Sequence, residues 1–275
     1  MNDKTLLYQV TETSKYMMGF VLVTRQNNVI VIDGGRPEDM PLLKEVIGGR
    51  HISGWFLTHP HSDHISGLLD ELEKNGGADF DIGAFYYNFP PYSLINTPDV
   101  PDRAYFEEEY NEMLPAFERI MPAYREKCHI LRQGETFTID ECGIEVLYTW
   151  HDGLVSNPMN DASSVFRISG PNKNVLFLGD LGPDAGDILF RESRDLLKSD
   201  MVQMAHHGHM NIGMEVYAAI APEGCIWTAP DWLWDKEKNE FDFSHNLIEV
   251  EWNWMKELGV KAHFVAHSGD VYIEC

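Results

Sequence analysis

The chain predicts a four-layer α/β/β/α sandwich, two mixed sheets packed together with helices outside. Three observations carry that prediction. Short apolar runs alternate with helical stretches along both halves of the 275 residues. Each half closes some of its strands in polar clusters. One such cluster, THPHSDHISG at 58–67, crowds His59, His61, Asp63 and His64 into a single bend.

The elements follow in order. FVLVTR (20–25) and NVIVIDGG (28–35) form a hairpin about Asn27-Asn28. PEDMPLLKEVIGG (37–49) is a helix with Pro at its start and Gly at its end. SGWFLTH (53–59) is a strand running into the histidine loop, ISGLLDELEKNGG (65–77) is the helix after it, and FDIGAFYYN (80–88) is the next strand. Residues 89–127 break the rhythm. FPPYSLINTPDVPD is turn-forming, and AYFEEEYNEMLPAFERIMPAYREK is helical with Pro115 and Pro122 as interruptions. They form a helical insertion at about 89–127 in a single domain spanning 1–275. The insertion serves as packing, as a cover over a site, or as a homodimer contact. In the second half TFTID, GIEVLYTW, SSVFRIS and NVLFLGD are strands, and DAGDILFRESRDLLK is a helix. DMVQMAH and GCIWTAP are strands followed by helices GMEVYAAIAP and HNLIEVEWNWMKELG, and AHFVAH and VYIEC are the last strands.

Composition bounds the function. A hydrophobic fraction of 44% with 12% aromatics belongs to a folded chain able to bury a core. A net charge of −23 without any basic run argues against long nucleic acid as partner, because phosphate backbones are bound by Lys/Arg patches. A small anionic substrate stays compatible if a metal supplies local positive charge. The start, MNDKTLLYQVTETSKYMMGF, has no basic segment followed by an apolar one, and the longest apolar runs are strand-sized. A cytoplasmic location without a membrane partner is expected. Cys128, Cys142, Cys225 and Cys275 form no CxxC pair, so four reduced thiols are expected rather than a zinc ribbon or redox pair.

The histidine loop carries the chemistry. Alternate residues of an extended segment point the same way, so His59 and His61 reach one cation. Asp63 and His64 open a helix and leave in another direction, towards a second cation. Imidazole plus carboxylate suits Zn, Mn or Fe. Asp33 closes VIVIDGG, Asp180 closes VLFLGD, and His206 and His207 close MVQMAHHGH. An Asp ending an apolar strand is costly to bury alone. An Asx turn at Asp33 or a helix N-cap at Asp180 would also account for them singly. Recurrence at four strand ends favours metal.

These residues resemble the metallo-β-lactamase fold superfamily. THPHSDH is similar to its HxHxDH motif, Asp33 to the aspartate before it, Asp180 to its bridging aspartate, and His206-His207-Gly208 to its last histidine motif. NDASSVFRISG (160–170), VLFLGD and LLKSDMVQMAHHGH are similar to the metallo-β-lactamase-like domain of ComEC-like competence proteins and to phosphorylcholine esterases. The resemblance implies two divalent ions, zinc first, with Mn or Fe as alternatives. His59, His61 and Asp180 would hold metal one. Asp63, His64, Asp180 and one histidine of the HHG element would hold metal two. The resemblance favours His207 there, with His206 facing the substrate, although strand alternation alone leaves the two open. Asp33 would stand behind the ligands. Asn160 takes the slot where many members carry another metal-one histidine. His151, nine residues earlier, is either a surface residue or a rearranged substitute.

Two such ions about 3.5–4 Å apart share a water and lower its pKa, so that a bridging hydroxide attacks phosphorus or carbonyl carbon. Catalytic roles then fall to Asp63, His206 and His245, the last two polarising the substrate or protonating a leaving group. His245 alternatively caps the helix after it. In CIWTAPDWLWDKEKNEFDFSHN, the rings Trp227, Trp232, Trp234, Phe241 and Phe243 either pack the insertion onto the frame or, beside Asp231 and Asp235, cage a quaternary ammonium. The expected function is hydrolysis of a small phosphoester. The alternatives are carboxylic ester, thioester or lactone hydrolysis, and a non-enzymatic metal-dependent binding module. Di-iron redox relatives replace the second motif histidine with Glu, whereas this chain has His61.

Overall fold

Runs of β-branched residues between turn signals set the frame. The computed structural model describes residues 3–12, 14–95, 109–152, 157–209, 212–235, 247–266 and 271–275. Strands β1 (Leu6–Gln9), β2 (Gly19–Val23) and β3 (Val29–Asp33) form an antiparallel meander. Every residue of β2 and β3 is buried, as fits strands covered on both faces. Helix α1 (Met40–Ile47) has Pro in its first turn and ends in left-handed Gly48. It leads into β4 (His51–Phe56), parallel to β3, and then α2 (Ser62–Asn75). The strand expected over 80–88 is split into β5 (Asp81–Ile82) and β6 (Phe85–Tyr87), both parallel to β4. Between them Gly83 N donates to Ile52 O at 2.8 Å, and the register against β4 is the same on both sides of the break.

Proline changes the helix type in the 89–127 segment rather than stopping the helix. After α3 (Tyr92–Ile95), a π-helical turn Glu109–Met113 runs into α4 (Leu114–Ile120) and a 3-10 stretch Met121–Lys127. Pro115 and Pro122 occupy first-turn positions of the last two, where a missing N–H costs little. Strand β7 (Cys128–Ile130), absent from the sequence reading, then pairs with β6.

The second half comprises β8 (Thr136–Ile139), β9 (Cys142–Tyr148), α5 (Pro158–Asp161), β10 (Val165–Ser169), β11 (Asn174–Phe177) and α6 (Pro183–Ser193). It continues through β12 (Met201–Gln203), α7 (Met214–Ile220), β13 (Gly224–Trp227), α8 (Asp231–Trp234), α9 (Leu247–Glu257), β14 (Ala262–Val265) and β15 (Val271–Glu274). One sheet has the order β15-β1-β2-β3-β4-β6-β7, with β5 beside β4, and the other β14-β13-β12-β11-β10-β9-β8. The last strand therefore returns to the first sheet and ties the halves together.

Three apolar layers match the four-layer prediction. Phe20, Phe56, Phe166 and Phe177 fill the space between the sheets. Trp55, Leu43, Leu68 and Phe117 join the first sheet to α1, α2 and α4, while Leu189, Val216 and Met255 join the second to α6, α7 and α9. No cysteine is disulfide-paired. Among the described residues no helix is long and apolar enough to cross a membrane. Strands β3 and β4 run parallel, as do β11, β12 and β13, so their carboxyl ends open towards shared crevices where side chains from several loops can meet.

Candidate metal centre

Asp33 organises the first corner. It is fully buried, at the end of β3, with a left-handed φ of 51°. Its Oδ1 accepts from Thr58 N at 2.8 Å, and its Oδ2 accepts from Thr58 Oγ1 and His64 Nδ1, both at 2.7 Å. Thr58 Oγ1 in turn lies 3.2 Å from His59 Nδ1 and accepts its proton. One carboxylate thus orients two imidazoles, directly and through a hydroxyl, leaving both Nε2 atoms turned away from it. Burial pushes the Asp33 carboxyl up, against the pull of His64.

Asp180 forms the second corner, and Gln203 aims it. Leu178 N and Gly179 N each donate to Gln203 Oε1 at 2.9 Å, and Gln203 Nε2 donates to Gly179 O at 3.1 Å and to Met204 O at 2.6 Å. Asp180 N donates to Ser163 Oγ at 3.0 Å. An N-cap role for Asp180 is not what the structure shows: Gly182 occupies the N-cap of α6.

The third corner corrects the sequence reading. The strand expected to reach His206 stops at Gln203, and Ala205–Gly208 is a tight turn with His206 and His207 at φ 48° and 56°. Strand alternation therefore has no bearing on which histidine faces in. The turn buries His207. Its Nδ1 donates to Thr228 O at 3.1 Å, which points Nε2 at Asp63 Oδ2, 3.0 Å away, and Asp180 Oδ2, 3.5 Å away. The half-buried His206 joins neither donor set described below and stacks on His209 at 4.4 Å. Gly208 makes the turn possible: at φ 92° its Cβ would lie 2.4 Å from Trp227 Cε3. Gly208→Ala is expected to destabilise the protein by about 2–5 kcal/mol through backbone strain and overpacking, read as a lower urea midpoint at unchanged m.

Two donor sets result. Asp63, His64, Asp180 and His207 bring one ligand atom each within 4.8 Å of one another, as do His59, His61 and Asp180, and all six residues are buried. Asp180 belongs to both. His64 Nε2 lies 3.3 Å and His59 Nε2 3.8 Å from its Oδ2. The Nε2 atoms of His59 and His64 and Asp180 Oδ1 are buried without a hydrogen bond among the described residues. Inward-facing buried lone pairs of this kind fit divalent cations, and the mixed imidazole and carboxylate donors suit Zn, Mn or Fe.

Without cations, protons fill the gap. Burial drives His59 well below its ordinary value and His61 down to about 4. Burial pulls on His64 and His207 too, but Asp180 and Asp63 outweigh it, holding His64 well above its usual range and His207 at about 9. Asp63 and Asp180, which burial alone would raise, are held low with His64 as the largest opposing influence. The signs give a window. The raised His207 contributes stability that is complete below about 6.5 and lost as pH climbs through about 9. The depressed His61 contributes stability present above about 6.5 and lost as pH falls towards about 4. Metal-free protein is therefore expected to melt highest near neutral pH. Metal uptake should release protons and tighten as pH rises towards 9, measured by calorimetry in buffers of differing ionisation enthalpy.

The remaining predicted residues fall variously. Asn160 is buried in α5, with Oδ1 lacking a partner among the described residues. His151 sits 3.3 Å from Gln133 Oε1 and 3.8 Å from Glu192, stacks on Tyr148, and joins neither donor set. His245, Phe241 and Phe243 lie outside the described residues. Among the described residues, Trp227 and Trp234 pack against each other and against Trp252 of α9.

Sequence reasoning missed Tyr16, Thr58, Glu109, Gln203 and Thr228. Tyr16 lies 4.6 Å from the His207 ring, ring to ring, and its hydroxyl is 2.9 Å from His209 Nε2. Burial first, then Asp63 and Asp180, raises its phenol well above the ordinary value. Glu109 accepts from Ser62 N at 2.9 Å and from Ser62 Oγ, so the π-helical turn is fastened to the start of α2. Thr58 adjoins the histidine motif and Gln203 lies within LLKSDMVQMAHHGH, but nothing in residue type or spacing marks any of the five.

Known proteins share the family and the fold. The model of the metallo-beta-lactamase superfamily matches residues 20–243. The metallo-beta-lactamase fold protein YhfI from Bacillus subtilis superposes with a TM-score of 0.59 at 13% identity, over 98% of this chain and all of that one. CmlA, a diiron beta-hydroxylase from Streptomyces venezuelae, gives 0.60 at 11% identity, over all of this chain and 55% of that one. A B3 metallo-beta-lactamase with an active-site glutamic acid gives 0.54 at 16% identity, over 80% of this chain and 85% of that one. No curated protein sequence matches the chain. At these identities the solved structures speak to fold alone. The family model, by contrast, takes in strands of both sheets and every residue of both donor sets, and the chain belongs to the metallo-β-lactamase superfamily.

Proposed function

We propose that this protein is a metal-dependent hydrolase with a dinuclear centre, acting on a small phosphoester. The observation that carries the reading is Asp180, one buried carboxylate shared by two sets of inward-facing donors. His59, His61 and Asp180 would hold one divalent ion, and Asp63, His64, Asp180 and His207 the other, with zinc the first choice. Two ions so held supply Lewis acidity and an activated water at neutral pH.

The chain's own residues do the positioning. Asp33 fixes the tautomers of His59 and His64, and Thr228 fixes that of His207, so each presents Nε2 inward. Asp63 sits in the first turn of α2, where the helix N-terminus favours its negative charge. His206 belongs to neither set, and the role of facing a substrate oxygen is assigned to it by the family resemblance. With Asn160 in place of a histidine, the first ion has one protein ligand fewer and correspondingly more room for substrate. Asn160 and the resemblance of NDASSVFRISG, VLFLGD and LLKSDMVQMAHHGH to ComEC-like domains and phosphorylcholine esterases support phosphorus as the reacting centre. The charge of −23 supports a small substrate over a polymer.

Protein purified without added metal should contain two equivalents of a divalent ion and cleave bis-p-nitrophenyl phosphate. Cleavage of thioesters with no action on phosphoesters would move the substrate class to the carboxylic alternative. A protein that binds no metal would overturn the reading.

A further inference from the structure

The metal loop is gripped by a residue from outside it. Helix α2 begins at Ser62, and His61 stands at its N-cap with no side-chain capping bond, its ring belonging to the donor set of the first ion. The Ser62 N–H, one of the orphan donors of a first helical turn, takes its acceptor from elsewhere. Glu109 supplies it. Its Oε2 accepts from Ser62 N at 2.9 Å, and its Oε1 accepts from Ser62 Oγ. Arg36 Nη2 reaches the same hydroxyl oxygen at 3.4 Å. The amide and the hydroxyl of one residue thus donate to one carboxylate, in bonds stronger than those between neutral groups and fixed in direction.

Glu109 is itself held in place. It opens the π-helical turn Glu109–Met113, and its neighbour Tyr110 is fully buried. Tyr110, Leu114 and Phe117 share a core with Leu68 and Leu72 of α2. Further along, Arg119 pairs with Glu73, and the Tyr124 hydroxyl donates to Leu72 O at 3.4 Å. Residues 109–124 therefore run beside α2 from its first turn to its last, and the Glu109 contact falls between two candidate metal ligands. Short π-helical turns recur at functional sites.

Ser62 is the link between the two donor sets. His61 before it belongs to the set with His59 and Asp180, and Asp63 after it to the set with His64, Asp180 and His207. A shift in the Ser62 backbone moves His61 and Asp63 relative to each other, and with them the two ions they would hold. We propose that Glu109 is a positioning residue of the metal centre: its carboxylate clamps Ser62 and so sets the spacing of His61 and Asp63, which makes the 109–127 segment a brace for both ions. This rests on the dinuclear reading above. The clamp acts through two directed bonds, so a neutral side chain of the same length should retain most of it.

Glu109→Ala should weaken the binding of both Zn²⁺ equivalents roughly tenfold in chelator competition. The cobalt-substituted variant should show a visible spectrum altered from the wild type, because the ligands no longer meet the ion in the same geometry. Glu109→Gln keeps an acceptor for Ser62 N and should recover most of the affinity. Ser62→Ala removes the hydroxyl arm alone and should weaken zinc by itself, yet add little when combined with Glu109→Ala, since both changes open one clasp. A contact that served folding alone would lower the urea midpoint and leave zinc affinity and cobalt spectrum unchanged. That result in Glu109→Ala, or in Ser62→Ala should alanine at 109 not fold, overturns the assignment while leaving the dinuclear reading intact. So does a Glu109→Gln variant as weak as Glu109→Ala. A wild type that takes up no zinc overturns both.

Discussion

Asp180→Asn is expected to lower bound metal from two equivalents to at most one, and to cut phosphoester hydrolysis by about 10³-fold or more. The side chain is 3% exposed, and its Oδ2 lies 3.8, 3.3 and 3.5 Å from the Nε2 atoms of His59, His64 and His207. Asparagine keeps the shape and one acceptor oxygen but removes the charge. The set containing Asp63 retains one carboxylate and two imidazoles. The set of His59 and His61 retains no charged ligand, so that ion is lost first. Without metal the same substitution removes the carboxylate that most raises His64 and His207, so metal-free variant protein should melt lower, and the comparison of activities belongs with metal present. Elemental analysis beside a bis-p-nitrophenyl phosphate assay reads both effects. Two equivalents retained in the variant would remove Asp180 from the shared position.

The parts of this molecule legible beforehand are those written in local pattern. The sandwich was visible because buried strands such as Val29–Asp33 are continuous apolar runs closed by turn residues. The donor-rich loop was visible because His59, His61, Asp63 and His64 are neighbours in the chain. The strands missed were short: Leu6–Gln9 has only four residues and Cys128–Ile130 three, and both are defined by pairing to partners distant in sequence. The histidine turn was misjudged because nothing local announces that two successive non-glycine residues adopt left-handed φ. The neighbouring constraint is tertiary too: Trp227, from β13, leaves no room for a side chain at Gly208. Gln203 and Tyr16 were illegible for the same reason. Gln203 takes its meaning from a loop 24 residues away, and Tyr16 from a histidine 193 residues away.

Asp33 provides the second large effect, and two substitutions there separate folding from metal binding. Asp33→Ala takes their carboxylate acceptor from Thr58 N, Thr58 Oγ1 and His64 Nδ1, all buried. A loss of about 3–5 kcal/mol follows from removing one member of such a buried charged network. Metal affinity should fall roughly 10–100-fold as His64 loses its orientation. Asp33→Asn behaves differently. Asparagine tolerates the left-handed φ of 51°, and its oxygen can still accept from Thr58 N, so the stability loss should be smaller than for alanine. Its amide nitrogen, however, is a donor where His64 Nδ1 now donates. To accept that hydrogen, His64 must move its own proton to Nε2, the atom turned towards Asp180 and the cation. The asparagine variant should therefore be the more stable of the two by urea denaturation, yet bind metal no better than the alanine variant. An asparagine variant with wild-type metal affinity would mean that the carboxylate behind His64 holds the loop together without choosing which nitrogen faces the ion.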